Sequence, residues 1–292
     1  MVALLALAQA GEVRLVEGTP EFESCLSSPD CSQRFHDFLG QSMSEQGFAM
    51  QAHSLLGSSL TVAPGLTIGA GVGTFPFGAP AENLSGKEEN TQFSPVFPRL
   101  RAAWSMGDMA VGLTLLPPIP VQGASALALS LDGSHSRPLG SARLTLLGEW
   151  SFVRARAPVV ASEQQYENRD SFDNPANLDP ATYEAVCVPA GGCIDTYRNG
   201  TATLSALLSR SYGPADPYIG LGGGYSGQYL WVMYDDTAWR VDSWQLTAQA
   251  GTALSFGPVR LVGGAAAGPL PPSVRDDDRL FWKLQGAAGL QF

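Results

Sequence analysis

At 292 residues, with 33 Gly, 21 Pro and only 15% charged residues, the chain has the length of one large domain or two small ones. Its net charge of -10 and pI near 4.7 argue against nucleic acid, whose phosphates demand a basic face. Beyond the N-terminus no apolar run approaches the roughly 20 residues of a membrane helix, so any membrane role falls to strands.

Residues 1–10 read as a signal peptide. Val2 to Ala10 is a short apolar run ending in Ala8-Gln9-Ala10, the small-residue form that signal peptidase cleaves, and Gly11-Glu12 would start the mature chain. An ordinary apolar strand or helix at this place is the alternative. The four cysteines form two close pairs, Cys25 with Cys31 and Cys187 with Cys193. In an exported chain both pairs read as disulfides. Zinc is disfavoured, because neither pair has a nearby His at finger-like spacing and His36, His53 and His135 are scattered. No metal site or cofactor is expected.

Residues 11–63 form an N-terminal segment, and within it Ser32 to Gln46 can make a short amphipathic helix with Phe35, Phe38, Leu39 and Met43 on one side. The segment would plug a lumen or lie in the periplasm. The alternative is two extra strands, Gly11 to Gly18 and Phe48 to Ser58.

Residues 64–292 break into stretches of period-two alternation separated by Gly/Pro/Asp/Asn-rich turns. In chain order the predicted strands are Leu66 to Phe75, Leu100 to Met106, Met109 to Leu116, Ser125 to Asp132, Ala142 to Arg154, Thr201 to Ser211, Tyr218 to Tyr234, Arg240 to Phe256 and Val259 to Ala267. A last strand begins at Leu280. Tyr218 to Tyr234 sets Ile219, Leu221, Tyr225, Tyr229, Trp231 and Met233 against a face of Gly220, Gly222, Gly224, Ser226 and Gln228. Its aromatics gather toward one end, as an interfacial girdle requires. Short breaks at 105–108, 211–217 and 255–258 alternate with long ones at 76–97, 157–197 and 269–279. Acidic runs such as Glu88-Glu89 and Asp276-Asp277-Asp278 fall in the long breaks.

The last strand places Leu280, Trp282, Leu284, Gly286, Ala288, Leu290 and Phe292 on one face. This terminal alternation resembles the C-terminal signal by which bacterial outer-membrane β-barrel proteins are recognised by their assembly machinery, with Trp282, Leu284, Leu290 and Phe292 carrying it. Over most of the mature chain the sequence is similar to such barrels in general. The style of its N-terminal segment and Gly-rich strands resembles uncharacterised outer-membrane proteins of myxobacteria. The fold-class expectation is all-β: a transmembrane antiparallel up-and-down barrel of about ten strands, alternatively twelve, with outer-membrane lipid and the assembly machinery as partners.

Strand phase puts Arg99, Arg101, Arg143, Glu149, Arg260 and Lys283 on inward faces, where charge avoids lipid. They read either as a constriction for small anionic or polar solutes or as ion pairs filling a small lumen, for example Glu149 with an Arg of another strand. Residues 162–197 read as a solvated external loop pinned by a disulfide. The rival reading is a cation held by Asp170, Asp173 and Asp179, although the D-x-D-x-D-G spacing is absent. The sequon Asn199-Gly200-Thr201 is assigned no meaning. His135 is placed in a DGSHSRPLG turn on the periplasmic side. The expected function is non-enzymatic, either passage of small solutes or a structural and surface role. The alternative is an outer-membrane hydrolase with an external-rim site, and a soluble periplasmic β-sandwich is a third class.

Overall fold

The computed structural model describes residues 12–17 as backbone, and 64–74, 97–121, 124–157, 179–234, 236–269 and 280–292. A short first strand, β1 (Glu12–Glu17), precedes ten longer ones: β2 (Gly65–Thr74), β3 (Phe97–Ser105), β4 (Met109–Val121), β5 (Ala124–Leu139), β6 (Ala142–Ala157), β7 (Asp195–Ser209), β8 (Ala215–Val232), β9 (Thr237–Phe256), β10 (Val259–Pro269) and β11 (Leu280–Gln291). Strands β2 to β11 form a closed antiparallel ring. Each pairs with its sequence neighbours, and β11 closes the ring on β2 through pairs such as Leu290 with Ile68 and Gly286 with Val72. This is the expected up-and-down barrel of ten strands. Of the two extra strands considered for the N-terminal segment, the first is present as β1, but it lies outside the ring and pairs with β9 between Ala238 and Asp242. It covers an edge left because β10 stops pairing with β9 at Ala248, while β8 follows β9 to Thr237.

Alternation along each strand decides the two faces. On β6, Thr145, Leu147, Glu149, Ser151 and Val153 are buried, whereas Leu144, Leu146, Trp150 and Arg154 are exposed. A one-residue slip would exchange those sets, so the register is strongly specified. The turns after β3, β5, β7 and β9 are short. Gly140 and Gly257 adopt left-handed φ values of 61° and 58°, a conformation that costs other residues a Cβ clash. Gly65 and Phe292 lie at this same end, where Leu66 and Phe292 exchange backbone hydrogen bonds of 3.1 and 2.8 Å.

Four expectations require correction. The DGSHSRPLG stretch is strand, since β5 runs to Leu139 and the turn is Gly140-Ser141; its own alternation, Ser134 and Ser136 inward against His135 and Arg137 outward, extends the ladder. β7 begins at Asp195 and not at Thr201. Two connections at the far end are short, because only residues 122–123 separate β4 from β5 and 233–236 separate β8 from β9. The loop before β7 contains a helix, α1 (Pro180–Val186). The signal peptide, the helix at 32–46, the Phe48 to Ser58 strand, the Cys25/Cys31 pair, His36, His53, Glu88, Glu89, Asp170, Asp173 and Asp276 to Asp278 lie outside the described residues.

Candidate functional site

The inward faces converge on a charged cluster at mid-height. Arg101 on β3 forms a two-armed ion pair with Asp132 on β5, Nη1 to Oδ1 at 2.5 Å and Nη2 to Oδ2 at 2.8 Å, and also donates to Thr114 Oγ1 at 2.9 Å. The reach skips a strand. It is possible because β4 carries Gly112 between them, and a Cβ there would occupy the space of the guanidinium. Directly opposite Asp132 in register is Glu149 of β6, whose Oε1 accepts from Ser130 Oγ at 3.0 Å. Two adjacent carboxylates would repel. Arg101 neutralises one, while Arg99 of β3 and Lys283 of β11 act electrostatically on the other. β6 and β11 are five strands apart in a ring of ten, so the Glu149 to Lys283 interaction crosses the lumen.

Layers of different chemistry flank the cluster. Toward the short-turn end, Leu147, Leu207, Tyr218, Ala253 and Val262 form an apolar cluster with Ala287 packed against it. The Tyr218 side chain occupies space that a Cβ at Gly251 or Gly264 would need. Toward the other end, Tyr197 donates to Gln228 at 3.1 Å, Gln228 to Ser226 at 3.2 Å and Ser226 to Asn199 at 2.9 Å. Asn199 is thus an inward, buried side chain and no surface acceptor.

Of the six charges assigned inward from sequence, Arg99, Arg101, Glu149 and Lys283 come together. Arg143 and Arg260 share the inward phase but sit by the short turns, where Arg260 donates to Gln291 Oε1 and to the Gly257 carbonyl. Asp132 is the member that sequence reasoning missed. Its signal was parity with Ala128 and Ser130, hidden because it stood at a predicted strand end.

At the far end, α1 is started by Asp179, whose Oδ2 accepts from the Thr182 amide at 2.9 Å and from its hydroxyl at 2.6 Å. Those bonds, the side-chain one first, hold the carboxyl below its usual range. The Asp-Pro dipeptide is a helix-start signal, with cap then Pro at the first helical position, and could have revealed α1. The Cys187–Cys193 disulfide follows. The loop is tied to the barrel, since the Asp179 amide donates to Tyr234 Oη at 3.0 Å and the Met233 amide donates to Asp195 Oδ1 at 3.1 Å. Among the described residues no group of three or more His, Cys, Asp and Glu is placed to hold a metal.

His135 lies on the outer wall by the short turns, accepting from Arg137 Nε at 3.1 Å. The middle of that wall is apolar. On β6 and β7 the outward positions 144 to 152 and 200 to 208 are Leu, Leu, Gly, Trp and Phe, then Gly, Ala, Leu, Ala and Leu. Exposure reaches 65% at Leu204, 63% at Ile219 and 70% at Leu221. An uncharged belt of this extent around a molecule is not a water-facing surface. Aromatics mark its far edge: Trp150, Ala202, Tyr225 and Trp244 share one register row, and the Tyr225 and Trp244 rings are 5.3 Å apart. Amphipathic rings favour the headgroup boundary.

No family model matches the sequence, and no curated protein does. Similar solved structures include the outer-membrane protease OmpT of Escherichia coli, at 10% identity and TM-score 0.39 over 80% of this chain and 100% of that one. The toluene transporter TbuX of Ralstonia pickettii gives 7% identity and TM-score 0.30 over 80% and 91%. The toluene transporter TodX of Pseudomonas putida gives 12% and 0.30 over 82% and 93%. It is the chain's own wall, apolar outside, polar inside and without a free edge in the ring, that identifies it as a ten-stranded transmembrane β-barrel of the outer-membrane type.

Proposed function

We propose that the protein is a closed barrel of the bacterial outer membrane with a structural and surface-interaction role, its far-end loops forming the working surface. One observation carries this reading: the inward side chains are packed away from water. Leu207 and Thr145 are 0% exposed and Arg101 4%, values that fit a filled lumen better than a water-filled channel at those heights. The ion-paired reading of the inward charges is therefore favoured over a solute constriction. A hydrolase of the outer rim would need a His beside carboxylates there. Among the described residues the single His, His135, is at the opposite end and on the lipid face.

The test is single-channel recording of the refolded protein in planar bilayers, after heat-modifiable gel mobility has shown a folded barrel. The expected result is no discrete steps. Steps that scale with salt would overturn the reading and restore solute passage.

A further inference from the structure

A patch of arginines stands on the outer wall just beyond the aromatic row. Arg154 of β6 pairs in register with Arg198 of β7, Arg198 with Tyr229 of β8, and Tyr229 with Arg240 of β9. Arg156 follows two residues further along β6, and all four arginines are exposed. Strand parity points them away from the lumen, since Val153, Asn199, Gln228 and Val241 are the buried neighbours. Backbone pairing also sets Arg14 of β1 opposite Arg240.

Height and charge both indicate what this patch meets. Arg154 is ten residues from Leu144, which shares a row with Arg137 near the short turns. At about 3.3 Å per residue and a strand tilt near 40°, that is about 25 Å along the barrel axis, the thickness of the apolar band. The patch thus lies at the headgroup level on the side of the long loops. Arg240 is held by Asp242 at 3.0 Å, and Asp242 also accepts from Tyr225 Oη at 2.5 Å. Arg154, Arg156 and Arg198, in contrast, have no carboxylate partner among the described residues, although the chain carries 27 acidic residues against 17 basic ones. Like charges directly opposite on paired strands are destabilising, so Arg154 beside Arg198 is a pair that an anion would relieve. Guanidinium groups bind phosphate oxygens in a two-armed fashion.

We infer that Arg154, Arg156 and Arg198, flanked by Tyr229, form a binding site for the phosphate of an anionic lipid headgroup in the leaflet facing the long loops. This rests on the membrane placement proposed above, but not on the lumen being closed.

Native mass spectrometry of the detergent-solubilised full chain, titrated with bis-phosphorylated lipid A, tests it. Wild type should carry lipid A adducts that neither phosphatidylcholine nor excess inorganic phosphate reproduces or displaces. Arg154→Gln with Arg198→Gln should weaken them on the order of tenfold, while Arg137→Gln at the other end should leave them unchanged and both variants keep heat-modifiable mobility. Equal adducts in the double variant would overturn the site. Displacement by inorganic phosphate would reassign it to a free anion, and equal binding of phosphatidylcholine would remove phosphate recognition. Conductance of the same preparation reports on the lumen separately, so a conducting barrel that binds lipid A would refute only the closed-lumen reading.

Discussion

Arginine occupies two settings within this one wall, and only strand phase separates them. Arg101, on the inward face, is enclosed with both arms on Asp132 and a third bond to Thr114. Arg154 and Arg198, on the outward face, stand exposed beside each other without a carboxylate among the described residues. A buried cation must be matched at the time of folding, because its desolvation is repaid only by a well-placed partner. A cation at the membrane boundary can leave its partner to the surroundings. The charged cluster inside the barrel therefore supplies its own partners, whereas Arg154 and Arg198 outside find no carboxylate among the described residues and belong to the site proposed for a lipid phosphate.

The largest effect should come from breaking the inner pair. Asp132→Ala removes both acceptors from the Arg101 guanidinium and is expected to cost about 3–5 kcal/mol, measured by urea unfolding in lipid vesicles. Converting the pair together, Asp132→Leu with Arg101→Met, should cost less than the single change, because no buried charge is stranded. A double variant as damaged as the single would mean that packing and not charge governs the cluster.

The complementary change places charge where the wall is apolar. Leu204 sits midway along the band, level with Gly148, and Leu204→Arg should cost about 2–4 kcal/mol in the same assay. Ala202→Arg, one step closer to the arginine row on the same face, should cost less. A flat response with depth would argue that this face does not meet lipid.

Smaller and local effects belong to the far-end loop. Replacing Cys187 and Cys193 by Ser opens a loop of sequence separation 6, which is worth about 2 kcal/mol of loop order in the chain-entropy account. The expected readout is faster proteolysis near α1 with an unchanged unfolding midpoint for the barrel. The smallest effect is the Asp179 cap. Its carboxyl is held low by Thr182, so its contribution is present above the ordinary carboxylate value of about 3.9 and is lost as pH falls through the lower folded value. Amide exchange at Thr182, corrected for the intrinsic rate, should accelerate between about pH 5 and about pH 2. No change, or acceleration on raising the pH, would remove the cap from the account.

The strands were legible because their information is local. Period-two alternation within Arg240 to Phe256 or Val259 to Ala267 is visible in ten residues, and it settles inside from outside without knowledge of the partner strand. The turn at Gly257-Pro258 was equally readable. The DGSHSRPLG stretch misled, because a Gly beside polar residues is a turn signal in isolation. There Asp132 and Ser134 belong to the inward face, and Gly133 between them is an outward strand residue paired with Val111 and Gly148. The ladder on both sides overrides the local signal.

The sequence by itself determined the all-β, up-and-down character of the chain and the inward phase of most strands, because alternation and turn chemistry are properties of a few consecutive residues, while ring closure decided between ten strands and twelve. The sequence did not determine which inward charges meet. Arg101 finds Asp132 over Gly112, and Glu149 faces Lys283 across the lumen, through register and ring closure that no local pattern encodes. The arginine row is likewise a product of pairing, since Arg154, Arg198 and Arg240 are far apart in the chain and become neighbours only when β6 to β9 are aligned. Local pattern settles the face of each strand, and the tertiary structure decides the height at which those faces meet.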